Sequence, residues 1–218
     1  MGKHMFRMLT ILWVVGFVLY SGWLGFYFYQ VYQEKGLVEM IAKQNNETLD
    51  EVPFVLEGNV REAVGRYAKL YYYCVPEKIR NAFHEEGWQF ILTDKDIASV
   101  YYHGPIEGRL AGLTDISEQS IYIHARKEDI RRALIHEFGH YFDYRLSMNS
   151  INHDEFKAIY KKEKAFFNEK WKIDDHAISN EQEYFASAFE QMILYPEVLK
   201  EDCPKTYSYL EKLLSISF

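Results

Sequence analysis

The sequence predicts an α+β protein, with an N-terminal transmembrane helix followed by a mainly helical domain that contains a small mixed sheet. Met8–Tyr29 is a long apolar run without a charged residue, and short β-like runs lie between helical patterns in the remaining chain. An apolar content of 48% and an aromatic content of 17% supply a domain-sized core. We therefore divide the chain into a short tail and anchor (1–33), a polar stalk (34–57) and one domain (58–218).

The N-terminal apolar run is long enough to cross a bilayer. At 1.5 Å per residue, Met8–Tyr29 would extend about 33 Å. Lys3 and Arg7 precede it, which predicts a single-pass cell-membrane protein with a cytoplasmic N-terminus and an extracellular domain. The length disfavours a buried core helix. A cleaved signal peptide, which would give a secreted domain, is disfavoured because bulky residues precede the candidate cleavage sites.

The elements of the domain follow from hydrophobic periodicity and from turn residues. In chain order we expect helix Asn59–Tyr73, a helix from Pro76 to near Gly87, strand Trp88–Leu92, helix Asp96–Tyr102, and strands Arg109–Thr114 and Ser120–His124. Two long helices, which carry the candidate site residues described next, are expected after the strands. Helices first, a small sheet next and helices last give the α+β architecture.

The functional interpretation depends on the helix predicted over Arg126–Leu146. Glu128 and Asp129 place negative charge in its first turn, and Arg145 places positive charge near its end. Its second half is apolar almost all the way round, which indicates a buried helix. Gly139 is unfavourable by about 1 kcal/mol in a helix interior, so we expect a close neighbour at this position.

A His-Glu-x-x-His pattern lies inside this helix. His136 and His140 are four residues apart, so both imidazoles face one side and can bind one metal ion. Glu137 can reach a metal-bound water as a general base without binding the metal. The pattern is a signature of zinc metalloproteases, but two core histidines beside a surface glutamate would give the same letters.

A second helical pattern downstream supplies a third candidate ligand. Phe185, Phe189 and Met192 recur at helical spacing and are expected to face the core. Glu183 falls on a different face, together with Ser187, and can point towards the first helix. Three protein ligands leave the fourth position of a zinc ion open for water, as a catalytic site requires. An ordinary helix carboxylate is the alternative interpretation.

These motifs resemble a known family. HEFGHYFD, NEQEYFASAF and, near the C-terminus, CPKTY are similar to the catalytic domain of anthrax lethal factor and to the related secreted Pro-Pro endopeptidases. The resemblance implies a zincin-like (gluzincin) metalloprotease domain with one Zn²⁺ per chain. By position, it makes His136, His140 and Glu183 the zinc ligands and Glu137 the base. It also implies that Asp143 supports the ligands from behind.

Two positions depart from the family's pattern. His176 replaces a tyrosine that stabilises the oxyanion of the tetrahedral intermediate; it could donate the same hydrogen bond, or it could be a surface histidine in a loop. Ser187 replaces a glutamate, so support for the metal ligands must come from this shorter side chain, from a water or from Asp143. His176 is therefore a candidate catalytic residue, and Ser187 and Asp143 are candidate supports for the ligands.

A peptide or protein substrate is expected to pair with a strand at the edge of the sheet. Either Arg109–Thr114 or Ser120–His124 could be that edge, although an ordinary hairpin would show the same pattern. Gly112, Leu113 and Thr114 are the candidate contacts. The predicted function is a membrane-anchored zinc metalloendopeptidase acting outside the cell. The alternative is an inactive relative that binds peptides or proteins there.

Composition limits the remaining partners. The net charge of −7, without a basic stripe, argues against nucleic-acid binding. The membrane is the other expected partner, through residues 8–29, and the sequence does not determine an oligomeric state. Cys74 and Cys203 could form a disulfide in an extracellular domain or remain as two buried thiols.

Overall fold

The computed structural model describes residues 32–44, 54–102, 104, 108–171 and 175–216. The chain divides into two compact units, Met1–Met40 and Ile41–Phe218. The described residues of the first unit, 32–40, are helical and belong to helix α1, which covers residues 32–44 and so ends within the second unit. The second unit contains the sheet and the other helices that the structure describes.

The fold-class prediction was wrong to include a transmembrane helix. Within the described ranges, no helix is both long and apolar enough to cross a membrane. The helix α1 carries Glu34, Lys35 and Glu39, and it is shorter than the roughly 20 apolar residues that a bilayer span needs. The predicted span itself, Met8–Tyr29, lies outside the described residues. For the domain, the mainly helical α+β class with a small mixed sheet agrees with the structure.

The predicted domain elements are present in the predicted order. The structure adds a strand before the first domain helix, and it adds further helices between and after the two long ones. The domain elements are β1 (Phe54–Glu57), α2 (Glu62–Cys74), α3 (Glu77–Glu85), β2 (Gln89–Thr93), α4 (Ile97–Val100), β3 (Gly112–Asp115), β4 (Ser120–His124), α5 (Lys127–Arg145), α6 (Asn149–Asn152), α7 (Asp154–Trp171), the 3₁₀ helix Asp175–Ile178, α8 (Glu181–Leu194), α9 (Pro196–Asp202) and α10 (Pro204–Ile216). The added strand, β1, occupies the end of the predicted stalk.

The sheet has four strands in the order β1-β2-β4-β3. β1, β2 and β4 are parallel, and β3 pairs antiparallel with β4, so that Gly112 lies opposite Ile123 and Thr114 opposite Ile121. β4 is therefore paired on both sides, whereas β3 lies at the end of the sheet. Of the two strands that could form the edge near the site, the structure selects β3.

The helix α5 is buried between two aromatic clusters, which explains its apolar character all the way round. On one side Phe138 stacks on Phe90 of β2, with ring centroids 5.9 Å apart, and touches Phe83 of α3. On the other side Phe142 contacts Phe185 of α8 at 6.1 Å. Because both sides are packed, the polar residues of α5 that face the space between β3 and α8 are held in place.

The CPKTY segment starts α10 and takes part in a buried polar network. Glu163 of α7 accepts hydrogen bonds from the backbone N–H of Thr206, at 3.0 Å, and from its hydroxyl, at 2.8 Å. The same hydroxyl lies 2.7 Å from that of Tyr184 in α8. This part of the sequence resemblance therefore corresponds to a contact that joins α7, α8 and α10.

Both cysteines remain buried thiols, and no disulfide joins them. The Cys74 thiol donates a hydrogen bond to the Leu70 carbonyl within α2. Burial raises the pKa of Cys74 and of Cys203 to about 12. Neither thiol is therefore a nucleophile at neutral pH.

Candidate metal centre

The helix α5 supplies three polar side chains to one region of the domain. His136 and His140 are one helical turn apart, and their ring centroids are separated by 4.8 Å. Glu137 is buried, on the side of α5 that faces β3. The helix thus presents two candidate nitrogen ligands and, beside them, a carboxylate that contacts β3.

The third candidate ligand lies in the first turn of α8. Asn180 caps this helix, because its side-chain oxygen accepts hydrogen bonds from the backbone N–H groups of Gln182 and Glu183, at 2.9 and 3.0 Å. The cap fixes the start of α8 and so the position from which Glu183 projects. Sequence reasoning did not identify Asn180, although an asparagine three residues before a glutamate is a recognisable helix-start signal.

The helices α5 and α8 approach each other closely at Gly139. A Cβ atom on this residue would lie 2.7 Å from the Cα atom of Ala186 and 3.0 Å from its carbonyl oxygen. The neighbour predicted for this glycine is therefore the backbone of α8. Because only glycine allows this distance, Gly139 determines how near the ligands of the two helices come to each other.

Two of the separations between candidate ligand atoms are close to those around a zinc ion. The Glu183 Oε2 atom lies 3.2 Å from His136 Nε2 and 3.5 Å from His140 Nε2. Ligand atoms about 2.0–2.2 Å from a tetrahedral zinc ion lie roughly 3.4 Å from one another. One ligand atom from each residue lies within 4.8 Å of the others. Two imidazole nitrogens and one carboxylate oxygen also form a known ligand set of catalytic zinc, so the residues fit this metal.

The charges of this group favour a bound cation. Burial raises the pKa of Glu183, but hydrogen bonds with His136 and His140 outweigh burial and hold the pKa well below its usual range. Burial lowers the pKa of His140, yet the carboxylates of Glu183 and Glu137 outweigh it and the pKa is raised. An ionised carboxylate thus faces two imidazoles, and a metal ion would take the place of the proton that is favoured on His140.

The two candidate supports of the ligands have different contacts. The Ser187 Oγ atom lies 3.3 Å from His136 Nδ1, so it can accept a hydrogen bond from this nitrogen while Nε2 faces the metal position. Asp143 is buried, and its two oxygens accept hydrogen bonds from the backbone N–H and the hydroxyl of Ser150, at 2.7 and 2.5 Å. Asp143 therefore anchors the start of α6 directly behind α5.

His176 lies at the open side of the group. Its Nε2 atom is 3.1 Å from Glu183 Oε2, and its side chain is 70% exposed. The 3₁₀ helix Asp175–Ile178 thus brings the residue to the ligands although it is distant from α5 in sequence. The structure places it beside the candidate metal position, on the side that is open to solvent.

The edge strand β3 contacts Glu137. The Thr114 Oγ1 atom lies 2.7 Å from Glu137 Oε2 and 3.0 Å from the Glu137 carbonyl oxygen. A Cβ atom on Gly112 would lie 2.7 Å from Glu137 Cγ. Leu113, the third predicted substrate contact, packs instead on the opposite face of the sheet against Tyr122 and its neighbours. The structure thus brings Gly112 and Thr114, but not the side chain of Leu113, to the site.

A charged group that sequence reasoning missed secures the segment before β3. Arg109 pairs with both oxygens of the buried Asp129 in the first turn of α5, and the His124 Nδ1 atom lies 2.8 Å from the same carboxylate. Burial raises the pKa of Asp129, but the hydrogen bonds from Arg109 and His124 outweigh it and lower the pKa. No motif in the sequence signals this group, because its members meet only through the sheet.

Comparisons with known proteins find a similar family and a similar solved structure. A family profile described as anthrax toxin lethal factor, N- and C-terminal domain, matches residues 102–213, which is more than half of the chain. The solved structure of the Pro-Pro endopeptidase PPEP-2 from Paenibacillus alvei is similar, with a TM-score of 0.58 and 26% sequence identity, over 76% of this chain and 98% of that chain. No curated protein matches the chain. The matched region includes β3, the metal group and α8.

Proposed function

The chain belongs to the anthrax toxin lethal factor family, and from this premise we propose that it is a zinc-dependent metalloendopeptidase. One observation carries the proposal: His136, His140 and Glu183 converge from two helices, with Glu137 next to them on α5. A purely structural zinc site would have four protein ligands and no use for Glu137.

The mechanism follows from the positions of the side chains. His136, His140 and Glu183 would hold Zn²⁺, which would supply Lewis-acid chemistry by lowering the pKa of the attacking water and polarising the scissile carbonyl. Glu137 accepts the proton of the attacking water and transfers it to the leaving amine. His176, on the solvent side, donates a hydrogen bond to the oxyanion. Ser187 keeps the His136 ring in the orientation that points Nε2 at the metal position.

Peptides are the proposed substrates, and β3 is the proposed docking strand. It lies at the end of the sheet and carries Gly112 and Thr114 beside Glu137, so an extended peptide paired with it would run past the base. The similar protein from Paenibacillus alvei is named a Pro-Pro endopeptidase, which makes peptides with consecutive prolines the first candidates. The extracellular location stays a prediction from the N-terminal sequence, and protease added to intact cells would test it.

A peptide-library digest tests the proposal. The purified chain is freed of metal with a chelator, reloaded with one equivalent of Zn²⁺ and incubated with a library that includes Pro-Pro sequences. We expect cleavage products, read by mass spectrometry, only after zinc is restored. Peptides that bind the zinc-loaded chain without being cut would instead support the non-catalytic alternative, which the departures at positions 176 and 187 suggest.

A further inference from the structure

We infer that Thr114 of β3 is a positioning residue for Glu137, so that the strand at the sheet edge also holds the base. The inference rests on the proposed function, since Glu137 acts as a base only if the chain hydrolyses peptides. Thr114 would not touch the reacting atoms itself. Its effect would pass through the carboxylate that takes the proton.

The contact between the two residues is a short hydrogen bond to one defined oxygen. The Thr114 hydroxyl lies 2.7 Å from Glu137 Oε2, and it can donate its single hydrogen there or to the Glu137 carbonyl at 3.0 Å. Antiparallel pairing with Ile121 of β4 fixes the position of Thr114. A hydroxyl on a paired strand is a rigid donor, because neither its backbone nor its branched side chain has much freedom.

Gly112, on the same face of β3, limits the other carboxylate oxygen. A Cβ atom at this position would lie 2.8 Å from Glu137 Oε1. The backbone of β3 therefore lies against Oε1 while Thr114 binds Oε2. Thr114 thus binds one oxygen of the base, and Gly112, two positions earlier on the same face of the strand, leaves room for the other.

The position of the carboxylate matters for the reaction. A glutamate side chain has several rotamers of similar energy, and only those directed at the attacking water accept its proton. Without the Thr114 hydroxyl, Glu137 would occupy the productive rotamer for a smaller fraction of the time. Losing such a supporting hydrogen bond typically lowers activity about 10- to 100-fold.

Three variants separate this role from general packing. Thr114→Val keeps the shape but removes the hydroxyl, and Thr114→Ser keeps the hydroxyl. Thr93→Val is the matched control, because Thr93 is a buried threonine of β2 whose hydroxyl accepts a hydrogen bond from the Lys95 backbone. On the best library peptide, we expect kcat of Thr114→Val to fall about 10- to 100-fold with KM and zinc content nearly unchanged. Thr114→Ser should recover most of the activity, and Thr93→Val should resemble the parent.

Crystal structures of the same variants give a readout that does not need activity. We expect the Glu137 carboxylate to leave its position in Thr114→Val and to keep it in Thr114→Ser. The inference is overturned if Thr114→Val turns over like the parent, if Thr114→Ser is as impaired as Thr114→Val, or if Glu137 does not move. A parent enzyme that cuts no peptide would refute the proposed function instead, and the crystal structures would still decide whether Thr114 holds Glu137.

Discussion

At the scale of single residues, the candidate site is defined by the contacts between its polar side-chain atoms. His136, Glu137 and His140 could be grouped from the sequence by helical spacing alone. Glu183 lies on another helix, and its assignment as a ligand needed the family resemblance as well. Thr114 was predicted to contact the substrate. Its hydrogen bond to Glu137 could not be predicted, because this bond depends on how β3 lies against α5, which follows it in the chain. Local spacing is readable from sequence, whereas contacts between elements are not.

His176 gives the prediction that belongs to this scale. If its imidazole donates to the oxyanion, His176→Ala should lower kcat by on the order of ten- to a thousand-fold, with zinc content unaffected. His176→Tyr should retain much of the activity, because a phenol can donate the same hydrogen bond. Steady-state kinetics with metal analysis checks both variants. His176→Ala that is fully active would assign the residue to the surface. Loss of zinc would assign it to holding Glu183, which it contacts at 3.1 Å.

At the scale of elements, the central arrangement is the close packing of α5 on α8. The buried character of α5 could be predicted from its apolar residues all the way round. The strand β1 could not be predicted, because Phe54–Glu57 does not alternate between buried and exposed residues. Val55 and Leu56 are neighbours, and both are exposed. A period of two is the signal that identifies a strand, and this strand does not carry it.

Gly139→Ala tests the packing of the two helices. The added methyl group would meet the backbone of Ala186, which cannot move as a side chain can, so the helices must separate. We expect a loss of about 1–3 kcal/mol in the free energy of unfolding, together with weaker zinc binding. Thermal or urea denaturation and a zinc titration measure the two effects.

The control for this variant is Gly65→Ala, at a buried helical glycine of α2 that has open space around it. Alanine there should stabilise the domain by about 0.5–1 kcal/mol, because it lowers the chain entropy of the unfolded state. If both substitutions had the same sign, close approach would not be the reason for glycine at position 139.

At the scale of the whole molecule, the domain is an α+β unit whose class follows from the order of its patterns, as predicted. The transmembrane helix, predicted from hydropathy alone, is not among the described helices. What the sequence could not supply is the charged group of Arg109, His124 and Asp129, which joins the segment before β3, the end of β4 and the start of α5.

Acid stability tests this charged group. The pKa of Asp129 is lower in the folded state than in the unfolded state. Its contribution to the free energy of unfolding is therefore complete above the unfolded-state pKa, near 3.9, and is lost as the pH falls through the folded-state pKa. Asp129→Asn should therefore be less stable than the parent by about 1–2 kcal/mol at pH 7, and this difference should shrink as the pH falls below about 4. Denaturation curves of the metal-free proteins across this range provide the comparison. If the stability difference between Asp129→Asn and the parent did not change with pH, the ionised form of Asp129 would not be what stabilises the domain.

The most direct test of zinc-dependent hydrolysis with Glu137 as the base is peptide turnover by Glu137→Gln at a measured zinc content. The amide preserves the size of the side chain and can still accept the hydrogen bond from Thr114, and Glu137 is not one of the proposed metal ligands. We predict one zinc per chain, as in the parent, and turnover lower by roughly 10²- to 10⁴-fold. Undiminished turnover at full zinc content would contradict the proposed mechanism.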